Sequence, residues 1–313
     1  MSILGTIGRT RLLALEHIVP AHSARILVKL EYENPTGSMK DRMALAMVEG
    51  AERDGRLRPG GSVVEFTGGS TGVSLAFVCA AKRVPVQVVT SIAASKEKRD
   101  HMVALGARLI MVDNPTGETT KELIVEMRET ARKLAAAPGS FWTDQFNNTD
   151  QLANYGPMAD EICEQANGPV SAFVQSVGTC GSLRGISTRL RERQPGVHVV
   201  AVEPAESAVL SGRPSGSHRI EGTGAGFVVP LWSDTLADEI QTVSTDEAMA
   251  TARRLTREEG MFGGTSTGAN VTVALRIADR LGPGHTVVTI ACDSGMKYLS
   301  TALYGHQPAE KPG

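Results

Sequence analysis

The chain has 313 residues, of which 41% are hydrophobic, and this length allows two globular lobes with sizeable cores. Lys and Arg together number 32 and Asp and Glu 34, so the formal net charge is −2 at pH 7. Because basic runs and interleaved aromatic and basic residues are missing, this balance argues against nucleic-acid or anionic-membrane partners and favours a small-molecule role.

Targeting, disulfide and metal signals are weak. The N-terminal residues 1–15 are interrupted by Arg9 and Arg11, and no run approaches the roughly 18 apolar residues of a membrane-spanning helix. The four cysteines form no C-x-x-C pair, and the seven histidines lack the spacing of a metal site on a helix. The sequence therefore predicts a cytoplasmic protein without a structural metal.

One lysine lies between a predicted turn and a predicted helix, within Asn34–Arg42. Pro35 and Gly37 predict the turn, and apolar residues recur at helical spacing from Met43 to Ala51. Lys40 is thus expected near a helix N-terminus, where the positive end of the helix dipole lowers the pKa of its amine. An amine so placed can form a Schiff base, although an ordinary solvated lysine would fit the same pattern.

Short apolar runs and longer helical patterns alternate through the rest of the chain. The predicted strands are Ser62–Phe66, Val84–Thr90, Arg108–Val112, Val170–Ser176, His198–Val202 and Thr286–Ala291. The predicted helices are Thr71–Lys82, Lys96–Leu105, Glu118–Ala136, Pro157–Ala166, Ser182–Glu192, Thr245–Gly260 and Gly268–Leu281. This rhythm predicts the α/β class, with parallel sheets covered by helices on both faces. Gly, Pro, Asn and Thr are concentrated in residues 138–151, which predicts a crossing between lobes, and the Gly-rich residues 211–230 predict a functional loop.

Two glycine-rich turns each follow a predicted strand and open a predicted helix. Thr67–Gly72 offers backbone N–H groups and hydroxyls suited to a carboxylate, and Ser176–Ser182 offers the same groups for a phosphate. Either turn alone could be a tight, capped βα connection. Together with Lys40, which could hold an aldehyde, they supply the groups needed to bind pyridoxal 5'-phosphate (PLP).

A dinucleotide site is the rival interpretation of the second turn. Glu203 ends the next strand about twenty residues later, where a ribose-binding acid would be expected. However, the glycines are spaced G-x-x-G-x-x-x-G rather than G-x-G-x-x-G, and Thr179 occupies a position where backbone must approach a pyrophosphate. An NAD-linked oxidoreductase remains an alternative.

With these motifs in order, the chain resembles the cysteine synthase and cystathionine β-synthase family of fold type II PLP enzymes. The lysine motif is matched by Ser38–Arg42, which implies that Lys40 carries the internal aldimine and handles the substrate α-proton. The cofactor-binding residues implied by the resemblance are Lys40, Ser70, Gly178, Thr179, Cys180, Gly181, Ser182 and Ser294. The implied substrate-binding residues are Thr67, Gly68, Gly69, Thr71, Gln145, Gly222 and Thr223. Gly263–Gly268 is similar to another family turn that lines the site.

The resemblance also implies a quaternary structure and a domain organisation, and the chain departs from the family pattern at several positions. The implied structure is a homodimer whose larger PLP-binding domain comprises residues 1–42 and 150–313, with a smaller mobile domain at 43–149. In the carboxylate loop Gly68 and Ser70 replace the family's usual serine and asparagine, and in the phosphate loop Cys180 and Ser182 replace a glycine and a threonine. These changes leave the lysine intact and alter its surroundings.

The resemblance implies β-replacement on an O-activated L-serine through an aminoacrylate, with sulfide or another thiol giving L-cysteine or a related β-substituted alanine. Acetate is the expected leaving group because Glu221 would repel a phosphate. The resemblance implies Ser294 at the pyridine nitrogen and a structural role for Asp293. The alternative is that the Asp293 carboxylate is the ring partner. Cystathionine formation from serine and homocysteine, deamination to a keto acid, and a non-catalytic PLP-binding role remain alternatives.

Overall fold

The computed structural model describes residues 2–114 and 120–305. In these ranges the strands are β1 (Leu12–Ala14), β2 (Arg25–Leu30), β3 (Ser62–Phe66), β4 (Val86–Thr90), β5 (Arg108–Met111), β6 (Ser140–Trp142), β7 (Ala172–Ser176), β8 (His198–Pro204), β9 (Glu239–Val243) and β10 (Thr286–Ala291). The helices are α1 (Lys40–Asp54), α2 (Ser70–Lys82), α3 (Lys96–Ala104), α4 (Lys121–Ala135), α5 (Leu152–Gln165), α6 (Gly181–Arg193), α7 (Thr245–Glu258) and α8 (Thr265–Leu281).

The strands form two sheets. The six-stranded sheet has the order β1-β2-β10-β7-β8-β9 and is parallel except for the β1–β2 pair. The four-stranded sheet has the order β5-β4-β3-β6 and is parallel throughout. Every residue of β7 and β10 is buried, as expected where helices cover both faces of a parallel sheet. The α/β prediction is confirmed.

Four strands were not predicted from the sequence because their patterns are short or polar. Strand β2 contains Lys29, whose buried amine pairs with Glu161 at 2.8 Å, so a charge interrupts the apolar run. Strand β9 is only partly buried and carries polar residues, and β1 and β6 have three residues each. Tertiary pairing, rather than local pattern, makes these segments strands.

Several predicted boundaries were wrong by a few residues, and two of them lie next to a proline. Strand β4 begins at Val86 rather than Val84. Helix α5 begins at Leu152 rather than Pro157 and continues through that proline. Gly156 precedes Pro157 and carries no Cβ to clash with the proline ring, so the helix is not broken there. The first two residues of the predicted helix 118–136 lie outside the described residues, and α4 covers most of the remainder.

Each sheet falls within one of the two predicted domains, although the domain boundaries themselves stay a prediction. All four strands of the smaller sheet lie between residues 43 and 149, and all six strands of the larger sheet lie outside that range. Helix α1 begins at Lys40 and packs against both α2 and α5, so it touches elements on both sides of the division. No helix in residues 2–114 and 120–305 is long and apolar enough to cross a membrane.

Candidate active site

A cavity of about 480 Å³ brings the three motifs together. It lies where β3, β7 and β10 end, which is the usual ligand-binding edge of parallel sheets. The predicted site residues that line it are Lys40, Thr67, Gly68, Gly69, Ser70, Thr71, Gln145, Gly178, Thr179, Ser182, Gly222 and Thr223. Cys180, Gly181 and Ser294 do not line it. The predicted functional loop borders the cavity from Ser215 to Gly226.

Lys40 is the first residue of α1 and faces the cavity. Burial lowers the pKa of its amine below the usual value, and the nearby Cys292 and Asp293 offset part of that shift. Its amine makes no hydrogen bond or ion pair with any part of the chain that the structure describes. The amine is therefore available for reaction, and its neutral form is favoured more than that of a surface lysine.

Hydrogen bonds and ion pairs fix the chain on both sides of Lys40. Asp41 accepts hydrogen bonds from the amide and hydroxyl of Thr36, at 2.8 and 2.6 Å. Arg42 is 3% exposed and forms two-pronged pairs with Glu31 and Glu161, with all four distances at 2.8 or 2.9 Å. These contacts determine where α1 begins and which way Lys40 points.

The phosphate-type loop has the geometry of an anion cradle. Cys180 adopts a left-handed conformation with φ +71°, which turns successive amides inward just before α6 begins. The amides of Gly178, Thr179 and Cys180 donate to no acceptor within residues 2–114 and 120–305. Ser182 accepts a hydrogen bond from Gln175 at 2.5 Å, which leaves its own hydroxyl proton free to donate. The loop therefore offers several unused donors at a helix N-terminus.

Close packing explains the glycines of this loop. A Cβ atom at Gly178 would lie 2.2 Å from the carbonyl oxygen of Gly222, and one at Gly181 would lie 1.9 Å from Gln151 Oε1. Cys180 packs into the core, and burial raises the pKa of its thiol to about 12. This burial agrees with a packing role for the thiol.

The carboxylate-type loop is built on Gln145. Thr71 donates its hydroxyl proton to Gln145 Oε1 at 2.9 Å, and Gln145 Nε2 donates to the carbonyl of Phe66 at 3.0 Å. Thr67 Oγ1 accepts from the amide of Gly69 at 3.0 Å. Because both Thr71 and Gln145 line the cavity, this network places polar side chains and the N-terminus of α2 on one wall.

Ser294 does not line the cavity, where a partner of the ring nitrogen would be expected. Its hydroxyl accepts from the amide of Met296 at 3.2 Å and caps the 3-10 turn Gly295–Tyr298. Ser266 lines the cavity instead and lies near the thiol of Cys292. The sequence pointed to the turn that contains Ser266 but did not single out that residue.

Asp293 also lines the cavity and holds two hydroxyl groups. Its Oδ2 accepts from Ser70 at 3.0 Å and from Tyr298 at 2.8 Å. Its Oδ1 is buried without a partner among the described residues. The sequence also missed Lys98 and Tyr298, which line the same cavity, because a lysine and a tyrosine at these positions resemble ordinary surface and core residues.

Glu203 does not act as a cavity acid. Its carboxylate accepts hydrogen bonds from the amide of Leu210 at 2.8 Å and from the amide and hydroxyl of Ser211 at 2.9 and 2.5 Å. The residue is buried and does not line the cavity. Because the Glu203 carboxylate binds Leu210 and Ser211 rather than facing the cavity, it is not placed to bind a ribose, which weakens the dinucleotide interpretation.

The residues present fit PLP. A free amine, a cradle of unused amide donors and a polar wall lie around one cavity, and these are the partners of an aldehyde, a phosphate and an amino acid's carboxylate. The close approach of Gly178 to Gly222 leaves no room for side chains where such a phosphate would meet backbone.

Comparisons with known proteins agree with this geometry. A family model described as "Pyridoxal-phosphate dependent enzyme" matches residues 3–293. A cysteine synthase from Staphylococcus aureus (strain N315) is 40% identical over 313 residues, covering 97% of this chain and 96% of that protein.

Two solved structures are similar throughout. O-acetylserine sulfhydrylase isoform 3 from Entamoeba histolytica has a TM-score of 0.90 and 38% identity, covering 99% of this chain and 93% of that one. An O-acetylserine-dependent cystathionine β-synthase from Helicobacter pylori has a TM-score of 0.90 and 32% identity, covering 97% and 99%.

Proposed function

The chain belongs to the pyridoxal-phosphate-dependent enzyme family as an enzyme of the cysteine synthase type, and from this premise we propose that it converts O-acetyl-L-serine and sulfide into L-cysteine and acetate. The observation that carries the proposal is the placement of Lys40 in one cavity with both donor loops. The family match favours PLP over the NAD-linked alternative. The fold type II prediction agrees with the same relatives.

We assign the cofactor contacts from the residues that line the cavity and from the unused amides of the phosphate-type loop. Lys40 would hold the aldehyde carbon covalently, and the amides of residues 178–182 with the hydroxyl of Ser182 would hold the phosphate. When bound, PLP supplies an electron sink that stabilises negative charge at the substrate Cα. Ser266 is the proposed partner of the ring nitrogen, in place of Ser294, because it lines the cavity. A neutral hydroxyl there does not enforce ring protonation, which favours loss of a β-substituent over transamination.

Lys40 is the proposed base. Its lowered pKa favours the neutral amine, which can take the proton from the substrate Cα as acetate leaves Cβ. Sulfide then bonds to Cβ, and the Lys40 ammonium returns the proton to Cα. Thr67–Thr71 and Gln145 would hold the substrate carboxylate, and Gly222 and Thr223 would border its side chain.

The expected charge argument for acetate does not hold in the structure. Glu221 lines the cavity, but its carboxylate pairs with Lys98 at 2.5 Å. A paired carboxylate repels a phosphate much less than a free one does. The choice of acetate therefore depends on the O-acetylserine-using relatives rather than on Glu221.

A second candidate keeps the same donor and changes the nucleophile. The Helicobacter pylori structure with a TM-score of 0.90 is named as an O-acetylserine-dependent cystathionine β-synthase. Homocysteine in place of sulfide would then give cystathionine.

The test is a product assay on the PLP-loaded protein with O-acetyl-L-serine. Equal amounts of L-cysteine and acetate with sulfide support the proposal, and the visible absorbance should change on adding O-acetyl-L-serine and return on adding sulfide. Cystathionine from homocysteine without cysteine from sulfide would support the second candidate. PLP binding without turnover of any donor would indicate a non-catalytic role.

The proposal also covers the oligomeric state of the protein and its location in the cell. We expect a homodimer in the cytoplasm, with residues 43–149 moving as the smaller domain. Light scattering on the purified protein would test the dimer, since a mass of one 33.1 kDa chain would contradict it. Cell fractionation would test the location.

A further inference from the structure

Lys98 is a charged residue of α3 that is buried beside the cavity. Its side chain is 1% exposed, whereas the side chain of Lys96, two residues earlier, is 71% exposed. A buried ammonium loses its hydration and requires compensating contacts. The burial of Lys98 therefore calls for a specific explanation.

Three contacts surround the Lys98 amine. Its Nζ lies 2.5 Å from Glu221 Oε2 and 4.0 Å from the ring centroid of Tyr298. A Cβ atom added at Gly69 would lie 3.6 Å from Lys98 Cδ and 3.7 Å from its Nζ. The amine is thus held between an anion, an aromatic face and the backbone of the carboxylate loop.

These contacts join loops that belong to different sheets. Gly69 follows β3 in the smaller sheet, whereas Glu221 precedes Gly222 in the functional loop associated with the larger sheet. The start of α3 is anchored to the same side, because Ser95 donates to the carbonyl of Lys297 at 2.8 Å and Glu97 accepts from the amide of Ser300 at 2.7 Å.

We propose that Lys98 is a positioning residue that sets the distance between the two substrate-binding loops through its pair with Glu221. This inference deepens the proposed function, since it concerns the same site. In this proposal Lys98 acts on the two loops through Glu221 rather than by binding the substrate. It keeps the Thr67–Thr71 loop beside Gly222 and Thr223, so that the substrate carboxylate and the reacting Cβ are held at the same time.

The experiment measures binding of L-alanine to the PLP-loaded protein by visible absorbance. L-Alanine has the carboxylate and amine of the substrate but no leaving group, so its dissociation constant can be measured even if the sulfide assay yields no cysteine. Lys98→Met and Glu221→Gln are each expected to weaken L-alanine binding about tenfold and to change PLP affinity less than twofold. Lys98→Arg, which retains the charge and the aromatic contact, should stay within about threefold of wild type.

The double variant Lys98→Met/Glu221→Gln decides how Lys98 acts. If Lys98 works through Glu221, the dissociation constant of L-alanine for the double variant does not exceed the larger of the two values for the single variants. Multiplied effects, or unchanged binding in both single variants, would overturn the proposal. Lys96→Met on the same helix is the matched control and should leave binding unchanged. Should Lys98→Met fail to fold, unchanged L-alanine binding by Glu221→Gln alone would overturn the proposal. Weaker binding by Glu221→Gln, with Lys98→Arg within threefold of wild type, would support it.

Discussion

The Ser70 hydroxyl donates a 3.0 Å hydrogen bond to Asp293 Oδ2 and thereby joins the start of α2 to the segment after β10. Tyr298 donates to the same oxygen at 2.8 Å. A serine is long enough for this contact, so its replacement of the family's usual asparagine does not leave the loop unsupported. The bond also gives one oxygen of Asp293 a structural contact, and a structural role is what the sequence favoured for this residue over a role at the ring nitrogen.

Ser266 and Ser294 should differ in their effect on the cofactor. Ser266→Ala is expected to weaken PLP binding about three- to tenfold and to change the visible absorbance, because it removes a hydroxyl from the cavity wall. Ser294→Ala removes only a cap on the following 3-10 turn and should change PLP affinity less than twofold. Fluorescence titration with PLP measures both, and the reverse order of effects would return the role to Ser294.

Lys40→Ala should retain the fold and lose the chemistry. Without the amine, neither the covalent link to the cofactor nor proton transfer at Cα is possible, so cysteine formation should fall by about 10³-fold or more. The visible absorbance of the loaded protein should change, while the far-ultraviolet circular dichroism should not. Turnover of O-acetyl-L-serine at the wild-type rate would show that another residue is the base.

Gly178→Ala should weaken PLP binding at least tenfold. The added Cβ would lie 2.2 Å from the Gly222 carbonyl, so the phosphate-type loop and the functional loop must separate. Gly196→Ala is the matched control because a Cβ there meets no heavy atom within 4 Å. Equal PLP affinity in both variants, measured by equilibrium dialysis, would contradict the assigned cradle.

Arg42→Met should reduce the free energy of unfolding by about 3–5 kcal/mol, because it leaves the buried carboxylate of Glu31 without its cation. Arg42→Lys should recover only part of that loss, since an ammonium cannot reproduce the two-pronged geometry. Arg254→Met, which breaks an exposed pair with Glu258, should cost less than about 1 kcal/mol. Urea denaturation provides the comparison, and equal losses for Arg42→Met and Arg254→Met would refute the structural role.

Lys297 should make the protein more stable as the pH rises above neutrality. Its amine is buried without a hydrogen-bond partner in the described residues, and burial lowers its pKa to about 8 despite attraction from Asp293 and Asp41, while Lys98 lowers it further. The unfolded state therefore binds more protons between pH 8 and the ordinary lysine pKa, so the penalty is full below pH 8 and is relieved above it.

Urea titrations of wild type and Lys297→Met at pH 7.5 and 9.5 test this linkage. Wild type should gain on the order of 2 kcal/mol relative to the variant over that interval. Burial and the charge of Lys297 lower the pKa of nearby His101, so this imidazole is neutral in both proteins above pH 7.5 and the difference reports on Lys297. A constant difference between the two proteins would mean that the amine titrates normally.

Local sequence determined much of this protein. Alternating apolar runs predicted the α/β class because strand and helix periods are properties of neighbouring residues. The glycine-rich turns and Lys40 were also predicted, since a turn, a helix N-terminus and a candidate reactive amine can be recognised from residues within a few positions of one another. The order of these motifs along the chain was enough to predict the PLP-dependent family.

Tertiary structure alone decided which side chains meet. Ser266 rather than Ser294 lines the cavity because α8 carries Ser266 to the cavity wall, whereas Ser294 turns away to cap its own segment. The pairing of Lys98 with Glu221 joins residues 123 positions apart, and no local pattern encodes that distance. Burial makes such contacts important for stability, because a charge or hydroxyl removed from water costs free energy unless the fold brings it next to a partner.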